Sequence, residues 1–258
     1  VKGTYSVIVT DAIGCASEEK AFIIGEPDKL EVDFSGDSNL TITDPQKGLL
    51  KCFDASGVLT ATPRGGKTDT TGYSFSWVIS YQDGGTATSN SSFVNAKSGN
   101  YTITIEDNAT PKNKVIKTII VTEKEKLTIN DSTPIDATGF GLKGSITASV
   151  SGGTPTYNYQ WYTGQGVTKT ILTGEDKALL TAVADTYSVI ATDANGCTSE
   201  EKAFTINEPD ELKVAFSGDS NLTITTPLTG LLKCFDGSGV LTAIPSGGKT
   251  NATGYSFS

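Results

Sequence analysis

The chain contains no histidine and no methionine, and only two tryptophans and four cysteines in 258 residues. Without histidine, the commonest general base and metal ligand at neutral pH is missing. No G-x-S-x-G, no glycine-rich loop ahead of a helix and no Cys/His ligand spacing takes its place. Paired carboxylates can hydrolyse glycosides, but here they sit in turns and junctions that recur from copy to copy. The expectation is a chain that is not an enzyme, with no catalytic residue, no cofactor and no metal site. No apolar run approaches the roughly 18 residues of a membrane span, and no leader-like segment occurs. Membrane insertion is therefore not expected, and any secretion signal would lie outside these residues. The net charge of −9 lacks the basic footprint of a nucleic-acid binder. Helical periodicity is missing as well. Thr, Ser, Gly, Asn and Asp dominate instead, as suits strands and turns.

What the chain does contain is a copy of itself. The run Thr4 to Ser76 returns as Thr186 to Ser258, offset by 182 residues without a gap, with about three quarters of positions identical. Tyr5 maps to Tyr187, Cys15 to Cys197, Cys52 to Cys234 and Tyr73 to Tyr255. Repetition at a fixed period marks an array of folding units. A finer echo lies inside it: Gly99 to Asp107 repeats Gly3 to Asp11 and Asp185 to Asp193. Leu59 to Gly66 followed by Tyr73 to Trp77 is likewise echoed by Ile146 to Gly153 followed by Tyr157 to Trp161. The long unit thus divides into two diverged domains, type 1 over 29–124 and type 2 over 125–209. Residues 1–28 read as the last two strands of a type 2 domain and 210–258 as the opening strands of a type 1 domain. The chain reads as a window from a longer polypeptide, or as one whose copies complement each other by donating strands.

Alternation with period 2 places Tyr101, Ile103 and Ile105 on one face of a strand, with Val115 to Val121 as the next strand. Thr186 to Thr192, a turn at Asp193 to Gly196, and Lys202 to Asn207 form the matching hairpin, Asn-Gly being a strong turn signal. Val58 to Thr62 and Gly144 to Val150 read as strands ending at Gly-Gly, followed by strands Tyr73 to Tyr81 and Tyr157 to Tyr162. About seven short strands per domain predict an all-β chain of tandem immunoglobulin-like β-sandwiches. Glu26-Pro27, Glu123 to Glu125 and Glu208-Pro209 mark the junctions. Links this short favour domains arranged end to end as an elongated rod.

From its second position on, the motif G-x-Y-x-V-x-x-T-D-x-x-G-C is present at Thr186 to Cys197, with I-x-E-P at Ile206 to Pro209, a cysteine before the Gly-Gly strand at Cys234, and G-G-T-P-x-Y-x-Y-x-W at Gly152 to Trp161. Together they resemble the SprB repeat of bacterial gliding-motility adhesins. The family's repeats commonly carry two cysteines, whereas each domain here carries one. The resemblance implies a Bacteroidetes protein exported by type IX secretion to the outer cell surface. It also implies partners: neighbouring repeats of the same polypeptide, the gliding and secretion machinery, and an external surface or polysaccharide.

Type 2 domains carry a cysteine just after the last turn (Cys15, Cys197), and type 1 domains carry one between the first two strands (Cys52, Cys234). Neither complete domain owns a pair, so Cys52 has Cys15 or Cys197 as its alternatives. In an immunoglobulin-like sandwich the last hairpin turn lies at the pole of the N-terminus, and the first connection lies at the other pole. End-to-end stacking apposes Cys52 and Cys197. It puts Cys15 and Cys52 far beyond the roughly 7 Å that a disulfide spans between Cα atoms. The expected bond is Cys52–Cys197, with Cys15 and Cys234 pairing beyond these residues. Loop closure over a separation of 145 residues corresponds to about 4 to 5 kcal/mol of constraint on the unfolded chain.

Trp77 and Trp161 occupy equivalent places and read as core tryptophans. Tyr157, Tyr159 and Tyr162 flank Trp161 and are candidates for stacking on a glycan. Thr70 and Ser132 lie in short D-S/T-x segments similar to bacterial O-glycosylation sites. Gly36 to Asn39 and its copy Gly218 to Asn221 look only loosely like a calcium loop, which needs several carboxylates in series. They read as plain turns, and Asp11 and Asp193 read as Asx-turn residues. The expected function is that of a structural repeat segment of a long filamentous cell-surface adhesin, for gliding and surface attachment. A polysaccharide-binding array, a self-assembling extracellular filament and a spacer region of a secreted hydrolase remain the alternatives.

Overall fold

A computed structural model describes residues 1–68, 72–225, 229–232, 237–249 and 254–256. The chain divides into two compact units, Val1–Glu125 and Lys126–Ser258. In the first unit a hairpin, β1 (Gly3–Val7) and β2 (Lys20–Ile24), precedes a sandwich. The sandwich strands are β3 (Glu31–Gly36), β4 (Leu40–Asp44), β5 (Lys47–Leu50), β6 (Gly57–Arg64) and β7 (Ser74–Tyr81). They continue with β8 (Thr86–Ser89), β9 (Phe93–Ala96), β10 (Gly99–Glu106) and β11 (Lys114–Glu123). One sheet has the order β3-β6-β9 and the other β4-β5-β11-β10-β7-β8. The pairing of β5 with β11 is parallel and its neighbours are antiparallel.

The expected single first strand is divided between the two sheets. The crossing is made at Gly36 to Asn39, where Asp37 Oδ1 accepts the backbone N–H of Asn39 (2.9 Å) and Leu40 (3.0 Å). A Cβ on Gly36 would lie 1.8 Å from the Leu40 carbonyl oxygen, so only glycine lets the chain fold back so tightly. Burial raises the Asp37 pKa, but N–H donors from Asn39, Val58 and Leu40 outweigh it and leave the carboxyl below its ordinary value.

The second unit repeats this plan with shorter strands. They are β12 (Thr128–Ile129), β13 (Gly144–Thr147), β14 (Val150–Ser151), β15 (Asn158–Thr163) and β16 (Thr170–Ile171), then β17 (Leu179–Ala182), β18 (Asp185–Thr192) and β19 (Lys202–Ile206). One face pairs β12 with β14 and β13 with β17; the other has the order β16-β15-β18-β19. The expected continuous strand over 144–150 is therefore broken. β13 pairs with β17 and β14 with β12, so the strand changes neighbours at Ala148-Ser149. Further strands follow: β20 (Lys213–Gly218), β21 (Leu222–Thr225), β22 (Thr229–Leu232) and β23 (Leu241–Ser246). β20 pairs with β23 from Lys213↔Ser246 to Gly218↔Leu241, the register of β3 with β6 displaced by one repeat.

Each sandwich has its own core. Leu59, Trp77, Tyr101, Ile103, Ile105 and Ile119 centre the first; Ile146, Trp161, Leu180, Val189, Ala191 and Ile206 centre the second. Both tryptophans are fully buried. Their indole N–H groups donate to Ser91 O and Lys177 O, each at 2.8 Å, so burial leaves neither donor unpaired. The architecture is that of immunoglobulin-like β-sandwiches, each with a tryptophan under the sheet pair.

Candidate functional site

The G-x-Y-x-V-x-x-T-D motif is one strand whose inward face spans its domain. In β10 the inward residues are Tyr101, Ile103 and Ile105, and the period of two carries on to Asp107 just past the strand. In β18 they are Tyr187, Val189 and Ala191, followed by Asp193. The tyrosine fastens one pole. Tyr101 hydroxyl donates to Lys97 O and accepts Lys97 N–H, both at 2.8 Å. Tyr187 donates to Val183 O at 3.0 Å, and Tyr5 to Val1 O at 2.7 Å. This is the tyrosine corner of immunoglobulin-like folds. Burial, with Tyr81 adding to it and the Lys97 N–H opposing, pushes the Tyr101 hydroxyl up to about 12.

The aspartate fastens the other pole. Asp193 is 3% exposed. Its Oδ1 accepts N–H from Asn195 (2.8 Å) and Cys197 (2.9 Å), closing its own turn. Its Oδ2 accepts Thr154 N–H at 2.8 Å, reaching across to the turn that follows Gly152-Gly153. Asp107 does the same work with Lys67 N–H (2.7 Å), Ala109 N–H (3.0 Å), and both the backbone (2.8 Å) and side-chain (2.7 Å) N–H of Asn113. Burial alone would raise the Asp107 pKa. The Asn113 amide and the three backbone donors reverse that and hold it well below the usual carboxylate range. The preceding glycines make room: a Cβ on Gly66 or Gly153 would lie 2.8 or 2.9 Å from the aspartate Oδ2, at φ of +69° and +62°. The Asx-turn reading of Asp193 thus covers half its role. The cross-pole bond was hidden because its donor is a backbone N–H nearly 40 residues away. The recurrence of Asp on the tyrosine's inward register was the signal that could have found it.

Cys197 is held in this aspartate-closed turn and is disulfide-bonded, as is Cys52. Cys52 follows β5, in the connection to β6 at the tyrosine pole of the first sandwich. Next to it, Asp54 adopts a left-handed φ of 52°. Its N–H donates to Glu123 Oε2 at 2.7 Å, and Ser98 Oγ donates to Glu123 Oε1 at 3.3 Å. These residues, with Phe53, Tyr81 and Lys97, line a cleft of about 290 Å³. Cys15 is free and exposed. Cys234 lies outside the described residues, as does Thr70.

The tyrosine trio does not form a shared platform. Tyr157 and Tyr159 pack against the core of the second sandwich, and the Tyr157 hydroxyl donates to Gly152 O at 2.8 Å, bracing the Gly-Gly turn. Tyr73 braces Gly65 in the same way at 2.7 Å. Tyr162 falls on the opposite face of β15, where the Lys169 ammonium lies 4.2 Å from its ring centroid. That ammonium also bonds Glu201 at 2.9 Å. Strand alternation separates side chains that sequence proximity had grouped. The Ser132 hydroxyl is shielded from solvent with no hydrogen-bond partner among the described residues. Among the described residues, no group of three or more His, Cys, Asp or Glu is placed to hold a metal ion. No helix among them is long and apolar enough to cross a membrane.

The sheets, cores and poles define a tandem of immunoglobulin-like β-sandwiches. Within it, residues 141–166 match the SprB repeat, a segment holding β13 to β15, the Gly-Gly turn and Trp161. No curated protein sequence matches the chain. Similar solved structures include the three N-terminal domains of the bacteriophage RB49 highly immunogenic outer capsid protein, at 13% identity and a TM-score of 0.42, covering 79% of this chain and 78% of that one. The I67–I69 I-band fragment of titin is similar at 13% identity and 0.35, covering 80% and 74%. The four N-terminal Ig domains of Dscam1 isoform 4.44 are similar at 13% and 0.30, covering 80% and 54%.

Proposed function

We propose that this segment is a load-bearing stalk of a repeat-built, adhesin-like extracellular protein, stapled between domains by a Cys52–Cys197 disulfide. The observation that carries the reading is that both cysteines are disulfide-bonded while each sandwich owns only one of them. The pole fastenings support it. Strand β18 is pinned by Tyr187 at one end and by Asp193 at the other, and the second of these also holds the cysteine. The SprB match supports the finer reading, an outer-surface gliding-motility adhesin exported by type IX secretion that contacts an external surface or polysaccharide. In that role the segment projects a binding region and transmits force, and repetition multiplies weak contacts through effective concentration.

Forced unfolding of single molecules held by the two termini tests the staple. With Cys52 bonded to Cys197, roughly 145 residues are withheld from extension, on the order of 500 Å at about 3.5 Å per residue. Reductant should release that length. A release of only about 130 Å, which is what a Cys15–Cys52 bond would hide at the same rise per residue, or no release at all, overturns the stapled stalk.

A further inference from the structure

The outward face of strands β11, β10, β7 and β8 in the first sandwich is built from uncharged side chains over three successive rows. Strand register sets the rows. The middle row runs Thr88, Val78, Thr102 and Thr118 across the four strands. Ser76, Thr104 and Ile116 form the row on one side of it. Thr86, Ser80, Asn100 and Ile120 form the row on the other. Val78 is 58% exposed, Ile116 57% and Ile120 48%. Threonines, β-branched like valine, continue the surface between them, and the Thr102 and Thr118 hydroxyls bond each other at 2.9 Å. Charge begins at the rim. Lys47, beyond Ile120, pairs with Asp44 at 3.6 Å, and Glu106, beyond Thr104, pairs with Lys112 at 3.3 Å.

The second sandwich covers the same face with its own chain. In the register that aligns Tyr101 with Tyr187, Val78 corresponds to Tyr162 and Thr102 to Ser188. Ile116 corresponds to Glu201, one residue ahead of β19. Tyr162 lies under the Lys169 ammonium, which bonds Glu201, and Glu201 also accepts Gly166 N–H at 3.1 Å. Ser188 is fully buried and donates to Gly164 O at 2.7 Å. The connection 164–169 between β15 and β16 thus closes that face. In the first sandwich the equivalent connection is the short turn 82–85, and Val78 and Ile116 stay exposed.

We propose that this face is a lateral contact between copies, in which the first sandwich of one chain packs sheet on sheet against the first sandwich of another. Charge and symmetry both single out a second copy. The chain carries a net charge of −9, so copies repel one another, and an uncharged face is where they approach at least cost. The face is also self-complementary about its middle row. A two-fold axis along that row lays Val78 on Val78, Ile116 on Ile120 and Ser76 on Ser80 of the other copy, apolar on apolar and hydroxyl on hydroxyl. Three rows on four strands span about 20 by 20 Å. Both faces together bury about 800 Å², less than the roughly 1,000 Å² of a stable interface. One pair of sandwiches therefore associates weakly and reversibly. In an array of type 1 domains the contact recurs along both chains, and effective concentration adds the weak pairs up.

The test is sedimentation equilibrium of the full chain at concentrations up to about 1 mM, the scale of a weak contact, with free thiols alkylated so that no new disulfide joins copies. A reversible monomer–dimer equilibrium is expected, and it should strengthen as salt screens the like charges of the two copies. Val78→Glu brings two carboxylates together and should weaken association at least about tenfold. Ile116→Lys should weaken it as well. Adding Ile120→Glu to that variant should restore it, because the two-fold axis sets each new ammonium against a new carboxylate. Within one chain these positions lie about 14 Å apart along β11, so rescue reports a contact between copies. Trp77 fluorescence checks that each variant is folded. A dimer that withstands Val78→Glu belongs to another surface, such as the exposed inner face of β1–β2, and overturns the proposal. Loss of association in Ile116→Lys without rescue by Ile120→Glu overturns it too. So does a chain that stays monomeric throughout, whether or not it pellets with insoluble cellulose.

Discussion

Replacing Asp193 with alanine removes the acceptor for three N–H groups at once: Thr154 at 2.8 Å, Asn195 at 2.8 Å and Cys197 at 2.9 Å. Hydrogen bonds to a charged group contribute about 1.5 to 3 kcal/mol each. The simple sum overstates the loss, because the turn lies at a domain pole where water can reach the released N–H of Asn195 and Cys197. The Thr154 bond has no such substitute without opening the pole, since Asp193 is only 3% exposed. The expected destabilisation of the second sandwich is about 3 to 5 kcal/mol, near the upper end for a single substitution. The chain suits the measurement because each sandwich holds one tryptophan. In a Trp77→Phe background, Trp161 fluorescence reports the second sandwich alone. Under reducing conditions the disulfide does not contribute, and the urea midpoint should fall by about 2 to 4 M at the slope usual for a small domain. Gly153→Ala should reproduce part of the effect, because its Cβ would lie 2.9 Å from Asp193 Oδ2 at a φ of +62°. A midpoint shift below about 0.5 M for Asp193→Ala, on the same slope, would show that solvent satisfies these N–H groups and that the cross-pole bond is incidental.

Two pH dependences follow from the same fastenings. The Tyr101 hydroxyl, pushed up to about 12 by burial, favours the neutral phenol in the folded state. Its contribution is fully present below the unfolded value near 10 and is lost as pH rises through 12. In a Trp161→Phe background, the unfolding free energy read from Trp77 should fall over that window, and Tyr101→Phe should flatten the fall. Glu201 is held low, to about 2, first by the Ser188 hydroxyl and then by the Lys169 ammonium. Its contribution is present above its unfolded value near 4.5 and is lost as pH falls through 2. Glu201→Gln should remove that part of the acid sensitivity from the Trp161 signal.

How far the sequence could be read depended on where each residue's partner lies. The tryptophans, the alternating strands and the last hairpin were legible because their partners are other apolar side chains at a regular spacing. The divided first strand was not. Its cause is an aspartate bonding the backbone two and three residues on, beside a glycine whose need for space appears only once the Leu40 carbonyl is placed. Tyr157 looked like a surface aromatic because its hydroxyl partner is the backbone of Gly152. Tyr162 did face outward, but Lys169, seven residues on, had already covered it. Recognition from pattern works where chemistry is carried by side chains. It fails where the chain bonds to its own main chain.

The repeat separates local from tertiary causes within one molecule. β1 pairs β2 from Gly3↔Ile24 to Val7↔Lys20, and β18 pairs β19 from Asp185↔Ile206 to Val189↔Lys202, the same register in both copies. Yet Tyr5 is 39% exposed and Tyr187 4%, and Val7 is 51% exposed while Val189 is fully buried. Register, turn and aspartate closure are therefore encoded within the hairpin's own residues, whatever covers its inner face. Stability is not encoded there, since a two-stranded hairpin is marginal in water. What β18–β19 has and β1–β2 lacks is the apolar surface of Ile146, Trp161 and Leu180. Local closure sets the shape of the turn, and the core beneath it sets the stability of the hairpin.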